Sequence, residues 1–156
     1  MYAPPENVHT IPGDIMENQE LLATLLKTTQ SGQVEIRSIL DAAMSPGLRC
    51  ALQSQLREYD AMETEALTIA LQRGWDLKSI EPLIRFLTDR FAAIRVNGRD
   101  TDSKIAEIMI RKNTKAMVSG LKNLHQYKGQ DSQVCILAQK MLDCETAHIR
   151  RLQSYL

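Results

Sequence analysis

The stretch LAQKMLDCETAHIRRLQSYL, residues 137–156, sets the fold that this sequence predicts. Its apolar residues recur at intervals of three or four, which is the spacing of one face of an α-helix. Glu145 and His148 fall on the same line, three positions apart. The sequence therefore predicts a C-terminal helix that directs a carboxylate and an imidazole towards the core. The apolar positions on this line are Val134, Ala138, Met141, Leu152 and Tyr155.

Four further segments show helical periodicity, and each has a start or stop signal. Asp14 and Glu17 are spaced like a capping box, Ser45 can cap the second segment, and Gly74 suits its end. Asp131 can cap the C-terminal helix. The four segments cover approximately residues 14–43, 46–74, 80–96 and 102–127.

Short connections at residues 44–47 and 128–131 predict two antiparallel helical hairpins, and the shorter segment 80–96 joins them. The predicted fold is therefore all-α, an antiparallel four-helix bundle with an additional crossover helix. It forms a single domain over residues 14–156. Residues 1–13, which contain three prolines, are expected to form an extended N-terminal arm.

The composition excludes several classes of function. The 19 basic residues balance the 19 acidic ones and aromatic residues make up only 4% of the chain, which argues against nucleic-acid binding. No apolar run has the length of a membrane span, and the N-terminus does not have the pattern of a signal peptide. Three widely spaced cysteines do not form a disulfide framework, so the sequence indicates a cytoplasmic protein with reduced thiols.

Extending the apolar lines of the other helices brings further polar residues towards the core. Glu63 falls on the line of the second helix, Glu107 on that of the fourth, and Gln33 on that of the first. Together with Glu145 and His148, these carboxylates call for a buried cation, since an unpaired buried carboxylate is unfavourable. Iron or manganese would suit carboxylate and imidazole ligands. A buried lysine or arginine is the alternative.

The segments SKIAEIMI (103–110) and LAQKMLDCETAHIRRLQSYL (137–156), with the bundle topology and the inward Glu/His pattern, carry a resemblance to a known family. Over residues 15–156 the chain resembles the ferritin-like superfamily, and it is similar to small, functionally uncharacterised bacterial members of it. The resemblance implies iron or manganese chemistry with oxygen or peroxide.

Two departures from the ferritin-like pattern make a complete di-metal centre unexpected. Ala66 stands where the family has a histidine three positions after Glu63, and the first helix has Gln33 where the family has a glutamate. Glu107 has an alternative role, because it is spaced to pair with Lys104 or Arg111.

The sequence is compatible with two hypotheses for the function. The first is a ferritin-like bundle with an incomplete, mononuclear or weak metal site for iron or manganese, with Glu63, Glu107, Glu145 and His148 as its ligands. The second is a non-enzymatic helical interaction protein with a degenerate site, acting through self- or hetero-association. A homodimer is compatible with either reading, and the sequence does not decide whether the chain is an enzyme.

Overall fold

The computed structural model describes residues 17–77, 100–129 and 131–156 of the chain. Within them, four long helices are present, two of which continue into a short 3₁₀ turn, at Leu40–Ala42 and Gln153–Tyr155. The predicted N-terminal arm and the predicted helix over residues 80–96 lie outside the described residues. The long helices are α1 (Asn18–Ile39), α2 (Pro46–Arg73), α3 (Thr101–Gln126) and α4 (Ser132–Leu152).

The helices form a bundle in which each is antiparallel to its two neighbours. Gln33 of α1 contacts Glu63 of α2 while Gln19 contacts Asp76, so these two helices run in opposite directions. Contacts at different levels along the helices show the same antiparallel arrangement for the other adjacent pairs, which are α1 with α3, α2 with α4 and α3 with α4. The all-α helical bundle predicted from the sequence is thus confirmed.

Several of the predicted helix boundaries are confirmed. Gly74 ends α2 in the left-handed conformation, with φ of 68°, as its position after the last apolar residue predicts. Asp131 caps α4 by accepting hydrogen bonds from the backbone N–H groups of Gln133 and Val134.

Two predicted capping interactions are wrong. Helix α1 begins at Asn18, and its capping box pairs Glu17 with Glu20, so the predicted start near Asp14 is too early. The Ser45 side chain makes no capping bond. Instead, Asp102 accepts hydrogen bonds from the backbone N–H groups of Met44 and Ser45, which ties the α1–α2 connection to the start of α3.

Helices α1 and α2 approach each other closely where Gly32 faces the ring of Tyr59. A methyl group added to Gly32 would lie 2.7 Å from Cδ2 of Tyr59, well inside van der Waals contact. Tyr59 is itself only 1% exposed, so its ring has little room to move away. Glycine at position 32 therefore allows the aromatic ring to reach the centre of the bundle.

We expect Gly32→Ala to lower the free energy of unfolding by about 1–3 kcal/mol, because the overlap with Tyr59 outweighs the better helix propensity of alanine. Urea unfolding followed by circular dichroism measures the change. Ser31→Ala, at the neighbouring partly exposed position, is the matched control. An alanine at position 32 that leaves stability unchanged or increased would contradict the tight approach of the two helices.

The orientation of α3 differs from the one that the sequence predicts. The buried residues of α3 are Thr101, Ile105, Ala106, Met109 and Asn113. Leu121 is 54% exposed, and the predicted inward position of Glu107 is wrong because that residue is exposed. Small residues explain the difference, since Gly120 packs against Leu142 of α4 so closely that a methyl group there would lie 2.8 Å from it.

Candidate functional site

A group of polar side chains lies at the centre of the bundle, and we call it the central polar layer. It combines residues from all four helices, and most of them are almost completely buried. Buried polar groups are unfavourable unless they are paired, so each contact in the layer matters for stability. The layer consists of Glu35 from α1, Gln55, Glu58 and Tyr59 from α2, Lys112 and Asn113 from α3, and Glu145 and His148 from α4.

A chain of hydrogen bonds connects three helices through Tyr59. The Tyr59 hydroxyl donates to Oε1 of Glu145 at 2.6 Å. Nε2 of Gln55 donates both to the Tyr59 hydroxyl and to Oδ1 of Asn113, each at 3.1 Å. These bonds fix the orientation of Tyr59, whose ring was brought to this position by the absence of a side chain at Gly32.

Glu145 is the carboxylic acid in this chain of hydrogen bonds. It is 0% exposed, and burial raises the pKa of its carboxyl group from 4.5 to about 7, against the opposing effects of the Tyr59 hydrogen bond and the nearby Lys112 charge. Among the residues that the structure describes, none forms a hydrogen bond with Oε2 of Glu145. A carboxylate held by one hydrogen bond in a dry core is unfavourable, so the environment favours its neutral, protonated form near neutral pH.

Lys112 brings a cation to the layer and forms an ion pair with Glu35. The side chain of Glu35 is 8% exposed and that of Lys112 is 19% exposed, so the pair is largely shielded from water. Burial lowers the pKa of the Lys112 ammonium, and the neighbouring Glu145 carboxylate opposes that shift. Two of the three carboxyl groups of the layer, Glu35 and Glu145, thus lie near one ammonium, and protonation of Glu145 makes these two carboxyl groups and Lys112 neutral together.

His148 lies beside Tyr59 and contacts Glu58 through Nε2. Its ring packs edge-on against the Tyr59 ring, with 5.7 Å between centroids. Burial lowers the pKa of the imidazole, and the Glu58 carboxylate opposes that effect. Nδ1 of His148 is buried and has no hydrogen-bond partner within residues 17–77, 100–129 and 131–156.

The structure brings only part of the predicted ligand set together. The predicted inward orientation of Glu145 and His148 is confirmed, since they are 0% and 1% exposed. Glu63 is half-buried at the edge of the core, where its carboxylate accepts a hydrogen bond from Nε2 of Gln33 at 3.1 Å. Glu107 lies on the outer face of α3 and pairs with Arg111 at 2.6 Å, the alternative role that the spacing predicted.

Within residues 17–77, 100–129 and 131–156, no group of three or more His, Cys, Asp or Glu side chains has the arrangement of a metal site. Metal binding by Glu63, Glu107, Glu145 and His148 stays a prediction, and Glu107 is exposed and faces away from the other three residues. Glu58 contacts His148 in place of the predicted carboxylates.

Sequence reasoning missed five members of the layer, which are Glu35, Gln55, Glu58, Lys112 and Asn113. For the two on α3 a signal is present, because the small residues Ala106 and Gly120 mark the side of that helix that packs against its neighbours. With α3 turned to that side, Asn113 faces the core and Lys112 lies at its border, in reach of Glu35.

Comparison with known proteins found no matching family model, no similar curated protein and no matching solved structure. Among the helices of the described residues, none combines the length and apolar character that crossing a membrane requires.

Proposed function

We propose that this chain is a ferritin-like helical bundle that acts through association with another protein, with an internal cation where related bundles would place a metal ion. The observation that carries the proposal is the Lys112–Glu35 ion pair beside Glu145. The ammonium supplies the positive charge that the buried carboxyl groups require. The layer is therefore a structural element, and its chemistry holds four helices in one register.

The ferritin-like assignment is supported by the directions of the helices. Helices α1 and α2 form one antiparallel hairpin, and α3 and α4 form the other. Asp76 lies beside the start of α1, whereas Asp102 lies beside its end, so the described residues on either side of 78–99 are at opposite ends of the bundle. A crossover between parallel α2 and α3 is the connection that a ferritin-like bundle uses.

Association is supported by the large apolar side chains that the bundle leaves on its surface. Leu71 on α2 is 83% exposed, and Ile136, at 66% exposure, lines a groove of about 300 Å³ between α2 and α4. An apolar groove with an exposed large side chain at its wall is typical of an interaction surface.

Binding of iron or manganese is the second candidate function, and one observation favours it. Among the described residues, Glu145 and His148 each have a buried side-chain atom without a hydrogen-bond partner, and Glu58 lies next to both residues. A weak mononuclear site would require these three side chains to rearrange around the ion, since their present positions do not have the arrangement of a metal site, and Glu63 and Glu107 would have no direct part.

Elemental analysis of protein purified without chelator or affinity metal separates the two candidates. We expect iron and manganese well below one equivalent per chain, in the native protein and in a Glu145→Ala/His148→Ala variant alike. Near-stoichiometric metal in the native protein that disappears in the double variant would overturn the internal-cation account. Circular dichroism of the variant confirms that the helices are retained.

A further inference from the structure

The outward side of α3 carries a line of basic residues. Lys104, Arg111, Lys115 and Lys122 follow one another at intervals of seven, four and seven residues, which places them on one face of the helix. All four are exposed. At about 1.5 Å of rise per residue the line is about 27 Å long. We call these four residues the α3 basic face.

Most of the charge on this face is unpaired. Arg111 pairs with Glu107, whereas Lys104, Lys115 and Lys122 form no ion pair with the residues that the structure describes. The imbalance is local, since residues 100–129 contain six basic and three acidic residues although the whole chain is neutral. Unpaired charge of one sign on one helix face is suited to a partner of the opposite sign.

The described residues offer no line of carboxylates that matches this face. Asp60 and Glu65 are engaged with cations of their own bundle, and the exposed carboxylates without an ion pair, such as Asp41 and Asp143, lie on different elements. Residues 78–99 contain five basic and two acidic residues, so their charge does not complement the α3 basic face. The complementary partner is therefore another protein.

We propose that the α3 basic face binds an acidic amphipathic helix of a partner protein. The cations lie in a line one side chain wide, which matches the carboxylates along one face of a helix. Val118 lies within the face and is 45% exposed, and Leu121 lies at its edge and is 54% exposed. These two side chains can contact the apolar residues of such a helix. This inference rests on the proposed function of association and names its surface and the chemistry of its partner.

A nucleic acid or an anionic membrane fits the α3 basic face less well. The chain has no net charge, so long-range attraction to a large anionic surface is weak. A single line of cations also contacts only a narrow strip of a broad surface. A partner helix can place each of its carboxylates opposite one cation.

The test compares two variants of the full chain that change the net charge by the same amount. Lys104→Glu/Lys115→Glu/Lys122→Glu reverses the three unpaired charges of the α3 basic face. Lys27→Glu/Arg57→Glu/Arg150→Glu is the matched control, because these three cations are exposed and have no ion pair within the described residues, but lie on other helices. Circular dichroism checks that both variants keep the helical content of the native chain.

The probe is a labelled synthetic helical peptide with glutamates at the same seven- and four-residue intervals and leucines beside them. A second peptide has the same composition with the glutamates spread around the helix. By fluorescence anisotropy at low salt, we expect the first peptide to bind the native chain, and the α3 variant to weaken binding by about tenfold or more. The control variant should weaken it by less than about threefold, since it changes only the net charge.

Equal weakening by both variants, or equal binding of both peptides, would overturn the proposal, as would tighter α3-dependent binding to phosphatidylserine vesicles or to single-stranded RNA. The metal content of the same samples shows whether a failure concerns the α3 basic face or the proposed function of the bundle. Loss of peptide specificity without bound metal contradicts only the α3 surface, whereas stoichiometric metal contradicts the internal-cation function and leaves the peptide result to stand by itself.

Discussion

Lys112→Met should lower the free energy of unfolding by about 3–5 kcal/mol near pH 6, the largest effect that we expect of any single substitution in this chain. The methionine fills a similar volume but removes the ammonium that pairs with Glu35. Glu35 then remains as a buried carboxylate without a counter-charge, and Glu145 loses a neighbouring positive charge. Urea unfolding of the native chain and the variant measures the difference.

Two further variants isolate the contribution of the ion pair. Lys115→Met removes an exposed lysine three positions along α3 and should change stability by less than about 0.5 kcal/mol. Glu35→Met combined with Lys112→Met removes both charges, and we expect it to recover most of the lost stability because no buried charge is left unpaired. A double variant as unstable as Lys112→Met alone would contradict the role of Lys112 as a counter-ion.

Glu145→Gln should abolish a pH dependence of stability that the native chain shows between about pH 5 and pH 7. The folded-state pKa of Glu145 is about 7, above its ordinary value of 4.5, so folding favours the protonated form. Its contribution to stability is therefore fully present below about pH 4.5 and is lost as the pH rises through about 7. The shift corresponds to about 3 kcal/mol, since one pKa unit is about 1.4 kcal/mol.

The amide of glutamine cannot ionise, but it can still accept the hydrogen bond from Tyr59. Free energies of unfolding at a series of pH values, measured for both proteins, give the Glu145 contribution as their difference. The pKa of His148 is lowered by burial, so its own effect has the opposite sign, with stability lost as the pH falls, and it is present in both proteins. Parallel curves for the two proteins would contradict a protonated Glu145 in the core.

The sequence was sufficient to predict the helical bundle because its evidence is local. Apolar spacing, the Gly74 stop and the Asp131 cap each depend on a few neighbouring residues, and the structure bears them out. The C-terminal helix was predicted with the correct inward face for the same reason. Val134, Leu152 and the polar pair Glu145 and His148 all lie on one well-defined line.

The layer itself could be predicted only in part, because its composition depends on how the helices are rotated against each other. Helix α3 has apolar residues on more than one line, so periodicity does not fix which side is buried. The close contact of Gly120 with Leu142 does fix it, and that contact turns Glu107 outward and brings Lys112 to the core border. The sequence shows where the small residues of α3 are, but it does not show which residues of the other helices pack against them.

The most direct test of the central claim is a ¹³C NMR titration of the Glu145 side-chain carboxyl, with the resonance assigned by its absence in Glu145→Gln. The account predicts an apparent pKa near 7, together with a downward-shifted pKa for the Lys112 ammonium in the same sample. A carboxyl group that titrates near its ordinary value of 4.5 would contradict the account, because Glu145 would then be a stable anion and the core would need a cation other than Lys112.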